Sequence, residues 1–456
     1  MAATPRSSLT RTALTRTTVA RYAIGSLGTG GFSTLPGLVL VFYLTDTLGV
    51  AAIAAGILVT AAKVWDVVID PVIGGRSDAQ LARRGSRRGL MIAGGMALPV
   101  FFILTFAVPA GVPPIAAGVW VFVAFLLTAT AFSLFQVPYI ALPAELADDY
   151  DQRIRLLTWR VVVLTLAILL FGAGGPALRD AVPHNPYAGY LVMAVAAGVV
   201  IGIGMVFSSF VAPKTAPEPA ARPPRVSLRE HYADGVRALR TSQPFRVLLT
   251  AFLLQGMATG EMLAAASYVA KRVLDSQDAV TLLFVALIGP ALLVTPLWGM
   301  IARRIGKERG FLLASILFGL AALSMVGLFW APGAWIYLPV ALCGAGYAGM
   351  QSLPMAMLPD VISHDARTAG PGRAGIFGGM WTAGETTGMA LGATVLAIVL
   401  AVSGYVASTG AHDVQQSAAS VAGIVASFSV VPAVIVGLSI IPIMRYRLRK
   451  EDVDAN

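Results

Sequence analysis

The run Ala62-Lys63-Val64-Trp65-Asp66-Val67-Val68-Ile69-Asp70-Pro71 sets one ammonium and two carboxylates in an otherwise apolar stretch. Spacings of three, four and seven residues put all three on one face of a helix. There the ammonium partly neutralises the two acids, and the remaining negative charge can hold a proton or a hard monovalent cation. An ionised side chain at the centre of a bilayer costs at least about 2.5 to 3.5 kcal/mol, so charges in such a stretch are functional candidates by default. The inert alternatives are a charge cluster that locks helices together, or an Asp70 lying at a helix end before Pro71.

Two single acids, Glu261 and Glu385, also lie among apolar and small residues. Glu385 belongs to Trp381-Thr-Ala-Gly-Glu385-Thr386-Thr387-Gly388, a polar face that suits the lining of a cavity. The alternative for Glu261 is an interhelical hydrogen bond made in its protonated form. Ser133, Gln136 and Tyr139 recur at spacing three and share a face, which reads equally as cavity lining or as hydrogen bonds between helices. The single Cys343 and four scattered histidines exclude a disulfide framework and a thiolate cluster and argue against a zinc site. No cofactor is expected, and no metal beyond a possible Na⁺ at Asp66 and Asp70.

The elements that carry these residues must cross a membrane. The 456 residues are 57% hydrophobic and 12% charged, about half the charge of a soluble domain. Uninterrupted apolar runs fall near 19–45, 50–74, 90–109, 113–142, 156–178, 187–212, 244–270, 278–302, 310–330, 334–359, 374–402 and 421–444. Their continuity and their richness in Ala, Leu and Gly predict helices rather than the alternating strands of a barrel. Residues 1–18, with Arg6, Arg11 and Arg16, read as a retained cytoplasmic tail rather than a cleaved leader.

Counting loops alternately, 29 of the 33 Lys and Arg residues fall on one side, Arg179, Lys271 and Arg272 on the other, and Lys63 within a span. The positive-inside rule then makes both termini cytoplasmic in a multi-pass protein of the cell inner membrane. The same placement explains the net charge of +10 as topology and leaves no basic face for nucleic acid.

A polar, proline-rich linker at 213–243 divides the chain into six-helix units at 19–212 and 244–445, with a short tail at 446–456. The halves echo one another. Pro71-Val-Ile-Gly74 and Arg83-Arg84-Gly85 match Pro296-Leu-Trp-Gly299 and Arg303-Arg304-Ile305-Gly306, and Pro138-Tyr-Ile-Ala-Leu-Pro143-Ala-Glu145 matches Pro354-Met-Ala-Met-Leu-Pro359-Asp360. Two related bundles of six helices are the all-α architecture of a major facilitator transporter, with its site between the halves near the midplane.

Trp65-Asp66-x-x-x-Asp70-Pro71-x-x-Gly74 and Pro138-Tyr139-x-Ala141-Leu142-Pro143-x-Glu145-Leu146-x-Asp148, followed by Arg153, Leu157 and Arg160, resemble the glycoside/pentoside/hexuronide:cation symporters, of which melibiose carriers are the type. Phe42-Tyr43-Leu44-Thr45-Asp46-x-x-Gly49 and Gly372-Arg373-x-Gly375-Ile376-Phe377 fit the same family, so the resemblance spans nearly the whole chain. It implies Asp66, Asp70 and Ser133 as the coupling-cation site. The family's amide position is Ile69, which removes an oxygen ligand and inclines the expectation to H⁺, with Na⁺ open. The resemblance also places Lys63 and Arg160 on the cavity wall, to which Gln136, Tyr139, Trp381 and Glu385 are added as substrate contacts. Gly30 and Gln136 stand where melibiose carriers have sugar-binding acids, and no lysine stands near Glu385-Thr386, so melibiose is a poor fit. Lysophospholipid carriers in the family keep an amphiphile open as substrate.

The loop Gly74-Gly75-Arg76-Ser77-Asp78 with Arg83 is similar to the gating loop of facilitators. Asp78, Arg83, Glu145, Asp148, Arg153 and Arg373 are the residues expected to hold and release the inner gate. The expectation is a cation-coupled symporter of a sugar-like solute, working in the lipid bilayer without an obligate protein partner. Its rivals are a proton-driven exporter, a non-transporting sensor, and a membrane enzyme using Asp148-Asp149-Tyr-Asp151 for Mg²⁺.

Overall fold

The computed structural model describes residues 14–147, 150–182, 184–213, 237, 239–276, 278–369, 374–446 and 448. Among them the chain forms twelve long helical elements: α1 (Arg16–Thr47), α2 (Ala52–Arg84), α3 (Arg88–Phe106), α4 (Pro114–Leu146), α5 (Tyr150–Asp180), α6 (Pro186–Ser209), α7 (Gln243–Arg272), α8 (Ala279–Ile305), α9 (Lys307–Ser324, prolonged by a 3₁₀ segment Met325–Phe329), α10 (Tyr337–Ala369), α11 (Ala374–Val402) and α12 (Ala418–Met444). Eleven are long and apolar enough to cross a membrane. The remaining one, α10, is 33 residues long and is made more polar by Gln351, Ser352, Asp360 and its glycines.

Local chemistry sets the ends. Thr15 accepts a hydrogen bond from Thr18 N at 3.1 Å and caps α1, and Gly85, at φ 65°, takes the left-handed conformation that ends α2. At about 1.5 Å per residue, the 33 residues of α2 and of α4 exceed a hydrocarbon core of about 30 Å, so both extend beyond the apolar runs read from the sequence. In α4 and α10, prolines five apart (Pro138 and Pro143; Pro354 and Pro359) sit within helices of equal length. The first helix starts at Arg16, within the segment 1–18 expected as a tail, of which residues 1–13 lie outside the described residues. Most of the linker expected at 213–243 lies outside the described residues.

Within the first six helices, α3 packs on α4 and α6, α2 on α4, and α1 on α5; within the last six, α7 packs on α11 and α12, and α10 on α8 and α9. Three pairs cross between these groups: α2 with α11, α1 with α7, and α5 with α8. Large apolar side chains such as Ile115, Leu293 and Val402 point outward, as a lipid surroundings requires.

A Cβ on Gly56 would lie 2.4 Å from that of Ala397, whereas one on Gly75, or on Gly378 or Gly379, would meet nothing within 4 Å. Contacts between the two groups, Gly56 with Ala397, Thr60 with Thr394 and Ser267 with Leu38, gather toward one end, the closed end, and the open surroundings of Gly75, Gly378 and Gly379 mark the other as the separated end.

Candidate functional site

The charged face of α2 is built as its spacing requires. Lys63 Nζ lies 3.6 Å from Asp66 Oδ2 and rests over the rings of Phe32 and Phe125, 4.6 and 5.8 Å from their centroids. Asp70 is on the same face, beside the buried Ser133 hydroxyl of α4. The Oδ1 atoms of both Asp66 and Asp70 are buried without a hydrogen-bond partner. One ammonium thus faces two carboxylates, and two oxygens of the pair remain unspent. Asp70 is not a helix-end residue, since α2 continues through Pro71 to Arg84. Trp65 fixes α2 against α4 by donating from Nε1 to Thr130 Oγ1 at 2.9 Å.

One turn before Lys63, the Thr60 hydroxyl meets that of Thr394 at 2.5 Å and donates to the Ala390 carbonyl at 3.0 Å, which joins α2 to α11. Gln136 accepts a hydrogen bond from Thr29 Oγ1 at 2.7 Å. Tyr139 is completely buried. Its hydroxyl donates to the Tyr22 carbonyl at 2.9 Å and pairs with Ser26 at 3.0 Å, while its ring carries the Arg160 guanidinium 5.5 Å above its centroid. The face shared by Ser133, Gln136 and Tyr139 therefore divides: Ser133 turns to Asp70, whereas Tyr139 ties α4 to α1 and supports Arg160.

From the other group of helices, Glu385 of α11 neighbours Gln351 of α10, and Gln351 Nε2 donates to Tyr347 at 3.2 Å. Trp381 stacks on Phe252 with centroids 4.2 Å apart, its indole N–H buried and without a partner. Glu261 lies deeper, away from this cluster, and is completely buried.

At the closed end, the last turn of α1 presents Asp46, whose side chain is fully buried. Its Oδ1 accepts from Arg272 Nη2 at 2.5 Å and Lys271 Nζ at 3.3 Å, and the Tyr405 hydroxyl bonds its Oδ2. Arg272 also reaches Asp413 at 2.7 Å. Around this core, Ser408 N donates to Thr45 O at 2.8 Å and Gly410 N to Thr47 O at 2.9 Å, and the Thr45 and Tyr268 hydroxyls meet at 2.6 Å. A cavity of about 680 Å³ lies among Asp46, Arg179, Lys271, Arg272 and Asp413.

Among the described residues, the ion pairs at the separated end stay within one group of helices. Arg87 reaches Asp78 at 2.6 Å, Glu145 at 2.5 Å and Ser77 at 2.6 Å. Lys307, the first residue of the third helix of its half, reaches Asp360 at 2.6 Å. Glu145 and Asp360 lie two residues and one residue past the second proline of the segments echoed between the halves, so the two clamps sit at similar places.

The family described as "MFS/sugar transport protein" matches residues 21–450. The chain belongs to that family. It is 25% identical over 420 residues to the glucuronide carrier protein homolog of Escherichia coli (strain K12), covering 90% of this chain and 88% of the relative. It is 24% identical over 433 residues to the isoprimeverose transporter of Lactiplantibacillus pentosus, covering 90% and 84%. The solved nucleoside transporter NupG superposes with a TM-score of 0.64 at 12% identity, covering 94% of this chain and 97% of that one.

This member of the sugar-transporter family is a multi-pass membrane transporter with the major facilitator fold, not an enzyme. Of the residues expected to gate it, Asp78 and Glu145 meet at Arg87, which sequence reasoning passed over. Arg83 is exposed and forms no ion pair with the described residues. Asp148, Arg373 and the Arg153 side chain lie outside the described residues. Asp46 stands in the family motif at the end of the first span, which by itself gives it no role. A signal was present, because Lys271 and Arg272 are two of the three basic residues on their side of the membrane and needed an acid.

Proposed function

We propose that this transporter couples the uptake of a sugar or glycoside to a cation bound at Asp66 and Asp70. The observation that carries the reading is the pair of buried, unpartnered Oδ1 atoms beside a single ammonium on α2. Binding of a cation there removes uncompensated negative charge and lowers the cost of closing the halves around a solute. The proton is the favoured ion. Asp66, Asp70 and Ser133 supply few oxygens, and Ile69 adds none, whereas Na⁺ requires several.

The solute is assigned to the space between the halves, against Lys63, Gln136, Arg160, Trp381 and Glu385. Tyr139 acts there through Arg160. The names of the glucuronide and isoprimeverose relatives support a glycoside rather than an amphiphile. With the Lys- and Arg-rich loops on the cytoplasmic side, the separated end faces the cytoplasm and the Asp46 end faces outward. Alternating access then consists of releasing the Asp46 contacts as the halves rock.

Proteoliposomes test this directly. Sugars and glycosides are screened for solute-driven uptake of H⁺ or Na⁺, and wild type is compared with Asp66→Asn and Asp70→Asn. A solute that drives proton uptake only when both acids are present supports the reading. Uptake that ignores both ions and both acids makes the pair structural and removes the reading.

A further inference from the structure

Glu261 of α7 is completely buried, and neither of its carboxyl oxygens has a hydrogen-bond partner. Backbone crowds it: a Cβ on Gly392 of α11 would lie 2.3 Å from Glu261 N, and one on Gly260 would lie 2.4 Å from the Met389 carbonyl. The Ser427 hydroxyl of α12 lies alongside, buried, and closes no hydrogen bond. No charged side chain faces Glu261 from α1, α11 or α12 among the described residues. Glu385, the acid of α11, lies beside Gln351, and Lys271 lies about 15 Å further along α7. A carboxylate at this place would be an unpaired charge in an apolar interior, whereas the neutral acid needs one acceptor for its O–H. Among the described residues the carboxyl has no oxygen partner, whereas an alkali cation requires several.

Beside Glu261, α12 is interrupted. Its segments Ala418–Phe428 and Val430–Met444 meet at Ser429, whose φ of −127° and ψ of −76° are not helical. Pro432 has no N–H to offer the Phe428 carbonyl, so the break is built into the sequence. The two segments are held differently. The second is pinned through Gln255, whose Nε2 donates to Ser439 Oγ at 3.1 Å and to Ser315 Oγ of α9 at 2.8 Å. The first meets α7 at Ser427 and Glu261, where no bond closes. Its start is tied by Ser420 Oγ to Ser403 O at 3.1 Å. That loop then supplies Tyr405, Ser408 and Asp413, the residues that hold Asp46 and Arg272.

We propose that Glu261 is a proton-binding site of the second half, separate from the α2 acids, whose neutral form lets the first segment of α12 close on α7 and keeps the loop at 403–417 seated on Asp46. On release, the O–H bond breaks and the proton passes to water admitted as the segment swings about Ser429, leaving a solvated carboxylate. The assignment does not rest on the role given to Asp66 and Asp70.

Infrared difference spectroscopy of the purified full-length protein, titrated from neutral to alkaline pH, reads this site. The wild type is expected to show a protonated carboxylic-acid C=O band that is lost as pH rises, is absent from Glu261→Gln, and persists in Asp66→Asn and Asp70→Asn. Hydrogen exchange over residues 418–432, corrected for its intrinsic pH dependence, is expected to rise with loss of the band in wild type and to stay level in Glu261→Gln. Ser427→Ala keeps the acid and is expected to retain the band at a shifted frequency, which separates titration from misfolding. The proposal is overturned if the band survives in Glu261→Gln or is never present, or if exchange in Glu261→Gln rises with pH as in wild type. Loss of the band on replacing potassium with sodium at constant pH also overturns it, making this an alkali-cation site.

Discussion

Arg272 Nη2 donates to Asp46 Oδ1 at 2.5 Å across the boundary between the two halves, 226 residues apart in the chain. The acid is fully buried and the guanidinium nearly so. Everything else at that end is arranged around the pair: Lys271 and Tyr405 add donors to Asp46, and Asp413 gives Arg272 a second acceptor. A transporter whose halves meet through such a pair must break it to open that end.

Removing one partner of a buried pair leaves the other charge uncompensated, a loss of about 3–5 kcal/mol. Asp46→Asn and Arg272→Gln are therefore expected to shift the transporter toward opening at this end. The readout is labelling of a cysteine placed at Ser267, whose hydroxyl now donates to Leu38 O at 3.0 Å between the halves. Labelling from the side that this end faces should rise at least about tenfold, since about 1.4 kcal/mol suffices for that. Unchanged labelling would show that the pair does not hold the end shut.

The same contact has a defined pH dependence. Partial burial opposes ionisation of Asp413, but Arg272 and Lys271 outweigh it and hold the carboxyl below its usual value of 3.8. For an acid depressed in the folded state, the stabilisation is present above the unfolded value and is lost as pH falls through the folded one. Labelling at position 267 is expected to stay level through the neutral range and, below about pH 4, to rise only by the small amount that removing the Asp413 charge allows. Asp413 is largely exposed, so Asp413→Asn should raise labelling little at neutral pH. A rise in wild type between about pH 5 and 7 would place the titration on another group.

Neutralising either acid of α2 is expected to separate binding from coupling. Asp66→Asn and Asp70→Asn should retain exchange of labelled for unlabelled solute, which needs no net cation movement, and lose accumulation driven by a cation gradient. Loss of exchange as well, in protein that remains folded, would assign these acids to the solute instead.

The charged face of α2 was legible because lipid makes each charge informative, and α11 ends where its apolar run ends, at residues 374 and 402. Helix number was legible for the same reason. Which way a polar face looks was not: spacing three places Ser133 and Tyr139 together, yet Tyr139 turns into α1 because Tyr22 and Ser26 offer partners there. The break in α12 was hidden in a run whose hydropathy is continuous, since Ser429 and Pro432 alter the backbone without adding charge. Arg87 was passed over because a loop with five arginines gives no sign of which one meets Glu145.

The clamps at the separated end hold each half together rather than holding the halves to each other. Arg87 joins the ends of α2 and α4 through Asp78 and Glu145, and Lys307 joins the start of α9 to α10 through Asp360. Hydrogen bonds to charged groups contribute about 1.5–3 kcal/mol, and the Arg87 side chain is 11% exposed against 41% for Lys307. Arg87→Gln is therefore expected to lower the thermal unfolding midpoint clearly, and Lys307→Gln to lower it little. Neither should change the labelling of position 267, because neither residue spans the boundary between the halves. If Arg87→Gln leaves stability intact and instead alters that labelling, Arg87 works as a gate between the halves in another state of the cycle.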